Sequence, residues 1–193
     1  MAHMKAIRWL QENPTIFESL QAGAVMGTGD LIAQKLLEKK ETIDTKRLAA
    51  FTGFGLFIAG PVLSTWYRFL DKKLPFCWPR LKRSFVKMVA DQTLMAPVYL
   101  AVLLSYFELT VGRGLDGFKE ELERKYPSTL ANSYLIWPAA QMLNFTLTPL
   151  QYQVLVVQLV SVAWNSFLSY KENIQNGKPI QDKSDADTDD KKD

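Results

Sequence analysis

Histidine and cysteine are almost missing from the 193-residue sequence, which contains only His3 and Cys77. One cysteine excludes a disulfide within the chain, and we interpret Cys77 as a free thiol in a loop. One histidine argues against a His-containing catalytic triad and against a Cys/His metal cluster. The phosphate-binding motifs GxxxxGKS, GxxxxGKT and GxGxxG are also missing. We therefore expect no enzyme activity, no metal and no cofactor.

Charged residues are missing from Tyr126 to Tyr170, a run of 45 positions in a chain with 22% charged residues overall. One crossing of a hydrocarbon layer needs about 20 helical residues, so this run is long enough for two helices. Pro149 is the natural break, because proline disfavours helix at the residue before it. We predict one helix over roughly residues 130–147 and another over roughly 149–169. Whether the second helix crosses the membrane stays open.

Three further apolar segments, residues 15–37, 48–67 and 88–107, precede this run. Mean hydropathy is only −0.07 because charge is concentrated in the connections and near the C-terminus. The sequence thus predicts an all-α, multi-span transmembrane helical bundle with four spans, and an additional C-terminal apolar helix is an option. We divide the chain into a basic and aromatic lead (1–14), a helical membrane domain (15–170) and a polar tail (171–193). The tail is expected to be disordered.

Small residues and prolines mark where these helices are expected to pack closely or bend. Gly23 and Gly27 form a GxxxG pair, which lets another helix approach closely. The Gly60-Pro61 pair is predicted to kink the second span, and Pro97 to interrupt the third.

Aromatic residues close to charged ones suggest where the membrane surface lies. Trp66 and Tyr67 directly precede a basic residue, and we place them in an interfacial aromatic belt. We assign Trp137 and Trp164 to the interface as well.

Polar residues interrupt the apolar pattern and are the candidates for lining or gating a pathway: Asp30, Gln34, Asp91, Gln92, Gln141 and Asn144. Acids and amides in a membrane need partners, so they should face other helices or water. Two interpretations stay open. The polar residues either hold helices together by hydrogen bonds, or they line a pore or substrate path.

The helical period adds detail to these candidates. Asp30 and Gln34 share a side of the first span with the GxxxG pair. On the fourth span, Gln141, Asn144 and Thr148 form a polar stripe along one side. Gln151, Gln158 and Asn165 recur every seven residues, which predicts a polar face on the last helix. Asp91 also fits an N-terminal turn, where the helix dipole favours a negative charge.

The connection from Asp71 to Lys87 is the most basic part of the chain, with six Lys or Arg residues against one acid. It is either an ordinary positive flank that sets orientation or a surface for anionic lipid headgroups or anionic solutes. We group Arg47 and Arg68 with these basic residues as a positive mouth that attracts anions. Basic residues are balanced between the two sets of loops, so orientation stays undecided.

Five short motifs occur in order along the chain: MGTGDLIAQ (26–34), GPVLSTWYRFLD (60–71), DQTLMAP (91–97), WPAAQMLNFTLTPLQY (137–152) and VAWNSFLSYK (162–171). With them, the chain resembles the Mpv-seventeen/peroxisomal membrane protein family over nearly all of residues 9–171. The last two motifs are more similar to those of the mitochondrial inner-membrane founding member than to those of its peroxisomal relatives.

This resemblance implies a multi-pass protein of the mitochondrial inner membrane, with the peroxisomal membrane as the alternative. It implies a weakly selective channel that influences membrane potential and reactive oxygen species, and supports mitochondrial homeostasis, deoxynucleotide supply and mitochondrial DNA maintenance. It implies no catalytic residues. The expected partners are the lipid bilayer and small ions or metabolites, including nucleotides or their precursors. No direct contact with nucleic acid is expected, and a homo-oligomer is left open.

Three other interpretations remain. A non-conducting scaffold in an organelle membrane complex would use the small and amide residues for packing alone. A lipid or redox enzyme has no motif in its favour. A soluble helical bundle would stay dispersed without detergent.

Overall fold

The computed structural model describes residues 9–10, 12–38, 41–111 and 114–175, and the described residues form five long helices. Helix α1 comprises Pro14–Ile32 and a π-helical turn, Ala33–Leu37. Helix α2 comprises Thr45–Phe54, a π turn at Gly55–Ala59, and Gly60–Lys73. Helix α3 comprises Arg80–Ala90, a π turn at Asp91–Met95, and Ala96–Val111. Helix α4 is Gly114–Leu147, and α5 is Gln153–Gln175, preceded by a 3₁₀ turn at Leu150–Tyr152.

The division of the uncharged run into two helices is confirmed. Helix α4 ends at Leu147, Pro149 has an extended backbone, and α5 follows the short 3₁₀ turn. Proline at 149 has no N–H to continue the ladder, and it disfavours helix at Thr148.

Three predicted boundaries are wrong. The basic connection is a loop only from Leu74 to Pro79, because Arg80 opens α3 directly after a proline. Lys, Arg, Met and Ala are good helix formers, so nothing stops this helix between residue 80 and the apolar segment. The helix predicted over roughly residues 130–147 begins earlier, at Gly114, so residues 114–125 already belong to α4. Helix α5 reaches Gln175, so residues 171–175 are helical; the rest of the predicted tail and most of the lead lie outside the described residues.

Prolines do not interrupt α2 or α3. Pro61 and Pro97 each lie two residues after a π turn, and helix continues on both sides of each. A proline ring clashes with the carbonyl four residues earlier, which here falls inside the wider π turn. The π turn therefore accommodates the proline, and the prediction that Pro97 interrupts its helix is wrong.

Glycines bring α1 and α2 into direct backbone contact. A Cβ on Gly60 would overlap the Cα of Ser19, and one on Gly55 would lie 2.6 Å from the Ala22 carbonyl oxygen. Gly23 and Gly27 face the same neighbour, near Leu56 and Thr52 respectively. The predicted close approach at the GxxxG pair is thus present, and α2 is the partner.

Burial is reversed relative to a water-soluble domain. Among the described residues, 14 polar or charged side chains are buried and only 10 apolar ones. Large apolar side chains point outward instead, for example Phe57, Leu94, Val98 and Leu135, which are 61–79% exposed. Such a surface is expected where lipid is the solvent, because soluble monomeric proteins rarely expose extensive apolar surface to water.

By length and composition, two of the described helices are suited to cross a membrane: Thr45–Lys73 and Arg80–Phe107, of 29 and 28 residues. At 1.5 Å per residue they extend roughly 42–44 Å, more than the ~30 Å hydrocarbon layer. The segment Leu150–Trp164 is apolar but shorter.

Candidate functional site

Three helices each carry a polar face with the same spacing. Ser64, Tyr67 and Asp71 lie along α2, and Ser84, Lys87 and Asp91 lie along α3. Gln141 and Asn144 lie along α4, and Thr148 directly follows its last residue. Positions i, i+3 and i+7 share one side of a helix. Apart from Ser64, whose hydroxyl donates to Thr15 of α1, these residues face each other, so polar side chains of α2, α3 and α4 meet between the helices.

Asp91 is the centre of this arrangement and is only 3% exposed. Its Oδ1 accepts a hydrogen bond from Trp66 Nε1 at 3.0 Å. Its Oδ2 accepts from Gln141 Nε2 at 2.7 Å and from Gln92 Nε2 at 3.1 Å. One carboxylate thus joins α2, α3 and α4.

The hydrogen bonds continue beyond the carboxylate. Gln141 Nε2 also donates to the Tyr67 hydroxyl at 2.9 Å, and Asn144 Nδ2 donates to Gln141 Oε1 at 3.2 Å. Asn144 reaches α5 as well, through the Gln153 carbonyl at 3.2 Å. We call the set Trp66, Tyr67, Asp91, Gln92, Gln141 and Asn144 the polar cluster.

Several acceptors of this region have no hydrogen-bond partner within the described part of the chain: Gln92 Oε1, Asn144 Oδ1 and Gln153 Oε1. Buried amides are normally satisfied, since an unmet acceptor costs about 1–3 kcal/mol. These oxygens are available to water or to a polar solute.

The structure adds to one prediction about the polar cluster and corrects another. Tyr67 is 1% exposed and packs edge-on against Phe145, and the half-buried Trp66 donates its indole N–H to Asp91, so both rings contact the protein interior. The interfacial assignment of this pair stays a prediction. Their position before a basic residue gave no information about which side of the helix they occupy. Asp91 lies in the interior of α3, eleven residues after Arg80, so it is not at an N-terminal turn.

The last helix carries only part of its predicted polar face. Gln158 is buried, but Gln151 is exposed in the 3₁₀ turn, and Gln153 is buried instead. The seven-residue spacing failed because the 3₁₀ turn changes the helical register before α5 begins. The side chain of Asn165 lies outside the described residues. Trp137 packs against the core, and its interfacial role, like that of Trp164, stays a prediction.

Asp30 and Gln34 form a separate site at the other end of α1. Gln34 Nε2 donates to Asp30 Oδ2 at 2.7 Å, and Arg47 Nε lies 2.8 Å from Asp30 Oδ1. Gln34 Oε1 accepts the Asp44 backbone N–H at 2.6 Å, where Asp44 caps α2. This geometry ties the end of α1 to the start of α2.

Arg47 and Arg68 do not share a mouth. They are 21 residues apart on one helix, roughly 32 Å along its axis. Each is occupied by an ion pair: Arg47 with Asp30 and Glu38, Arg68 with the buried Glu18 of α1. The grouping of Arg47 with the Asp71–Lys87 basics is therefore wrong, whereas Arg68 lies at the same end of α2 as they do and is paired with Glu18.

Some residues of this region escaped the sequence analysis: Trp66 and Tyr67 as hydrogen-bonding groups, Ser84, Lys87 and Gln153. The signal for two of them was present, since Ser84 and Lys87 precede Asp91 at helical spacing. It was overlooked because the segment before residue 88 was interpreted as a loop.

An all-α protein with an apolar exterior and polar contacts between its helices has the architecture of a membrane protein. The Mpv17 / PMP22 family profile matches residues 108–169. The mitochondrial inner membrane protein Mpv17 of Drosophila melanogaster is 38% identical over 154 residues, 79% of this chain and 92% of the relative. The Rattus norvegicus protein of that name is 37% identical over 166 residues, covering 85% and 93%.

A third relative, Protein sym-1 of Neurospora crassa, is 31% identical over 83% of this chain and 93% of its own length. No solved structure matches the chain. The chain belongs to the Mpv17/PMP22 family, and it is a mitochondrial inner membrane protein. The resemblance carried by the five motifs and the predicted localisation are thus confirmed.

Proposed function

We propose that this protein forms a low-selectivity pathway for small solutes across the mitochondrial inner membrane, in which the polar cluster lines the route. Through this pathway it modulates membrane potential and reactive oxygen species, and it supports deoxynucleotide supply and mitochondrial DNA maintenance. The chain crosses the membrane four times, through α1, α2, α3 and α4, with α5 packed beside α1.

The observation that carries the proposal is the position of the polar cluster within helices long enough to span a bilayer. Polar groups are costly in lipid, and they persist there where helices need to be held together or where water and solutes pass. The side-chain N–H groups of Gln92, Gln141 and Asn144 all donate hydrogen bonds inside the protein. The amide oxygens of Gln92 and Asn144 have no partner among the described residues. Those free acceptors favour contact with water or solute.

Contacts between the ends of the helices also support four crossings. Thr148, Leu150 and Gln153, at the turn between α4 and α5, line a cavity with Asp71 and Arg83, which flank the α2–α3 loop. Glu18, near the start of α1, pairs with Arg68 near the end of α2. The starts of α1, α3 and α5 and the ends of α2 and α4 therefore share one end of the bundle.

Single-channel recording on the full chain in liposomes tests the proposal. Gln141→Met keeps the length of the side chain but removes its amide, and we expect unitary conductance to change several-fold. The matched control is Gln151→Met, because Gln151 is exposed in the 3₁₀ turn. Unchanged conductance in Gln141→Met, in protein that remains monodisperse, would show that the polar cluster does not line the route.

The second candidate is a non-conducting scaffold. It is favoured by the ion pair between the buried Glu18 and the partly exposed Arg68, and by the glycine contacts, because both hold helices together without lining a route. A scaffold predicts no flux from wild-type liposomes and co-purification of a stable larger assembly. Flux of simple ions, phosphate and deoxynucleotides, measured side by side, separates the two candidates.

A further inference from the structure

A cavity of about 410 Å³ opens beside the polar cluster, at the end of the bundle that holds the α2–α3 loop. Its walls come from the end of α2, the first turns of α3 and the α4–α5 turn. The volume lies within the roughly 300–1,000 Å³ typical of small-molecule sites. We call this cavity the basic pocket, after three of its lining residues, Arg80, Arg83 and Lys87.

Positive charge in the basic pocket is only partly neutralised. Asp71 is its one lining carboxylate, and Asp71 Oδ1 receives both Lys87 Nζ at 2.5 Å and Arg83 Nη2 at 3.1 Å. Arg80 forms no ion pair with any described residue. Arg83 Nε is buried and has no hydrogen-bond partner among the described groups. Three cations against one carboxylate leave an excess of two positive charges.

The start of α3 adds to this potential. A helix N-terminus carries a partial positive charge, which acidic residues in the first turn normally offset. Helix α3 begins at Arg80 with no acidic residue in its first turn and no capping side chain from Pro79. The basic side chains and the helix dipole therefore reinforce each other, and only an anion would offset both.

The remaining lining groups are arranged for a polar ligand. Ser84 and Gln153 are 2% and 3% exposed, and Gln153 Oε1 has no partner in the described part of the chain. The Arg83 guanidinium lies over the Phe76 ring, 4.4 Å from its centroid, which restrains its orientation. The Ser84 hydroxyl and the oriented Arg83 guanidinium can donate to phosphate oxygens. Gln153 Nε2 already donates to the Thr148 carbonyl, so the free Gln153 Oε1 can accept only from a donor such as a hydroxyl group on the same ligand.

We propose that the basic pocket binds the phosphate group of a phosphate-monoester ligand, either a soluble phosphorylated compound or a lipid headgroup. In this proposal Arg80 and Arg83 contact the phosphate oxygens, and Lys87 adds positive charge to the same pocket. A dianionic phosphate balances the excess of two. The proposal concerns binding, so it stands or falls independently of conduction.

The test uses the full chain purified in a nonionic detergent. Calorimetric titration with inorganic phosphate probes a soluble ligand, and native mass spectrometry with equal amounts of phosphatidate and phosphatidylcholine probes a lipid headgroup. We expect wild-type protein to bind at least one probe, phosphatidate in preference to phosphatidylcholine. Arg80→Gln should weaken that binding at least tenfold without disturbing the fold, because Arg80 is exposed and forms no ion pair with a residue that the structure describes.

Lys46→Gln is the matched control, since it removes the same charge from an exposed position at the other end of α2; its binding should stay within twofold of wild type. Binding of phosphate alone supports a soluble ligand, and binding of phosphatidate alone supports a headgroup. The proposal is overturned if wild type binds neither probe, or if both Arg80→Gln and Arg83→Gln bind as tightly as wild type.

Discussion

At the scale of single residues, Asp91 shows how one carboxylate joins three helices. Its two oxygens accept three hydrogen bonds, from Trp66, Gln92 and Gln141, and it offers no donor in return. An ionised carboxylate is the one side-chain group of this size that accepts on both oxygens. The sequence predicted that Asp91 faces other helices, but not its partners, because Trp66 and Tyr67 looked interfacial.

Replacing Asp91 by asparagine, nearly the same shape, should therefore destabilise the bundle. The new NH₂ group must face either the Trp66 N–H or the two glutamine amides, so in either orientation donor meets donor. We expect a loss of about 1–3 kcal/mol, the cost of an unsatisfied buried group. Unfolding of Asp91→Asn in detergent, followed by circular dichroism, measures it. Glu41→Gln, the same change at an exposed site, should have no effect, and an equally stable Asp91→Asn would refute the carboxylate's role.

At the scale of helices, the sequence predicted the apolar interiors well and the ends poorly. The break at Pro149 could be predicted because a missing N–H acts locally, whatever the fold. The start of α3 at Arg80 could not, because basic residues are equally common in loops and in exposed first turns. Gln153 was missed for a third reason: the 3₁₀ turn of residues 150–152 shifts the register of α5, and no periodic pattern reports such a shift.

The contact between α1 and α2 makes a prediction at this scale. Gly60→Ala should destabilise the protein by about 2–3 kcal/mol, because its Cβ meets the backbone of Ser19, which moves only with the whole helix. Gly53→Ala is the matched control: its Cβ meets only the Tyr106 hydroxyl, at 3.3 Å, on a side chain that can shift. Both changes gain similar helix propensity, about 0.5–1 kcal/mol, so their difference isolates the packing term. Equal unfolding midpoints in detergent would contradict the close approach.

At the scale of the whole molecule, the number of crossings decides which face of the membrane each end of the bundle meets. Only α2 and α3 pass the test of length and composition among the described helices. Helix α1 contains Glu18 and Asp30, and the uncharged part of α4 contains amide, hydroxyl and proline residues that lower its hydropathy. Both of these charges are paired inside the protein, Glu18 with Arg68 and Asp30 with Arg47. A paired charge costs a helix much less in lipid than composition suggests, and this favours four crossings over two.

Labelling with a membrane-impermeant maleimide separates the two topologies. Cys77 lies exposed in the α2–α3 loop and reports one side of the membrane. In a Cys77→Ser background, Glu41→Cys and Lys119→Cys should be labelled only from the opposite side, because α2 and α3 each cross once. Gln151→Cys is decisive for α4. If α4 crosses the membrane, Gln151→Cys is labelled from the side of Cys77, and if α4 does not cross, it is labelled from the side of Lys119→Cys.

Labelling of Glu12→Cys shows in the same way whether α1 crosses the membrane. We expect Gln151→Cys and Glu12→Cys to be labelled from the same side as Cys77. The reasons are that Glu18 pairs with Arg68 at that end of the bundle and that the α4–α5 turn lines the basic pocket there. Labelling of Gln151→Cys from the Lys119 side would leave two crossings, and the polar cluster would then lie outside a continuous route across the bilayer.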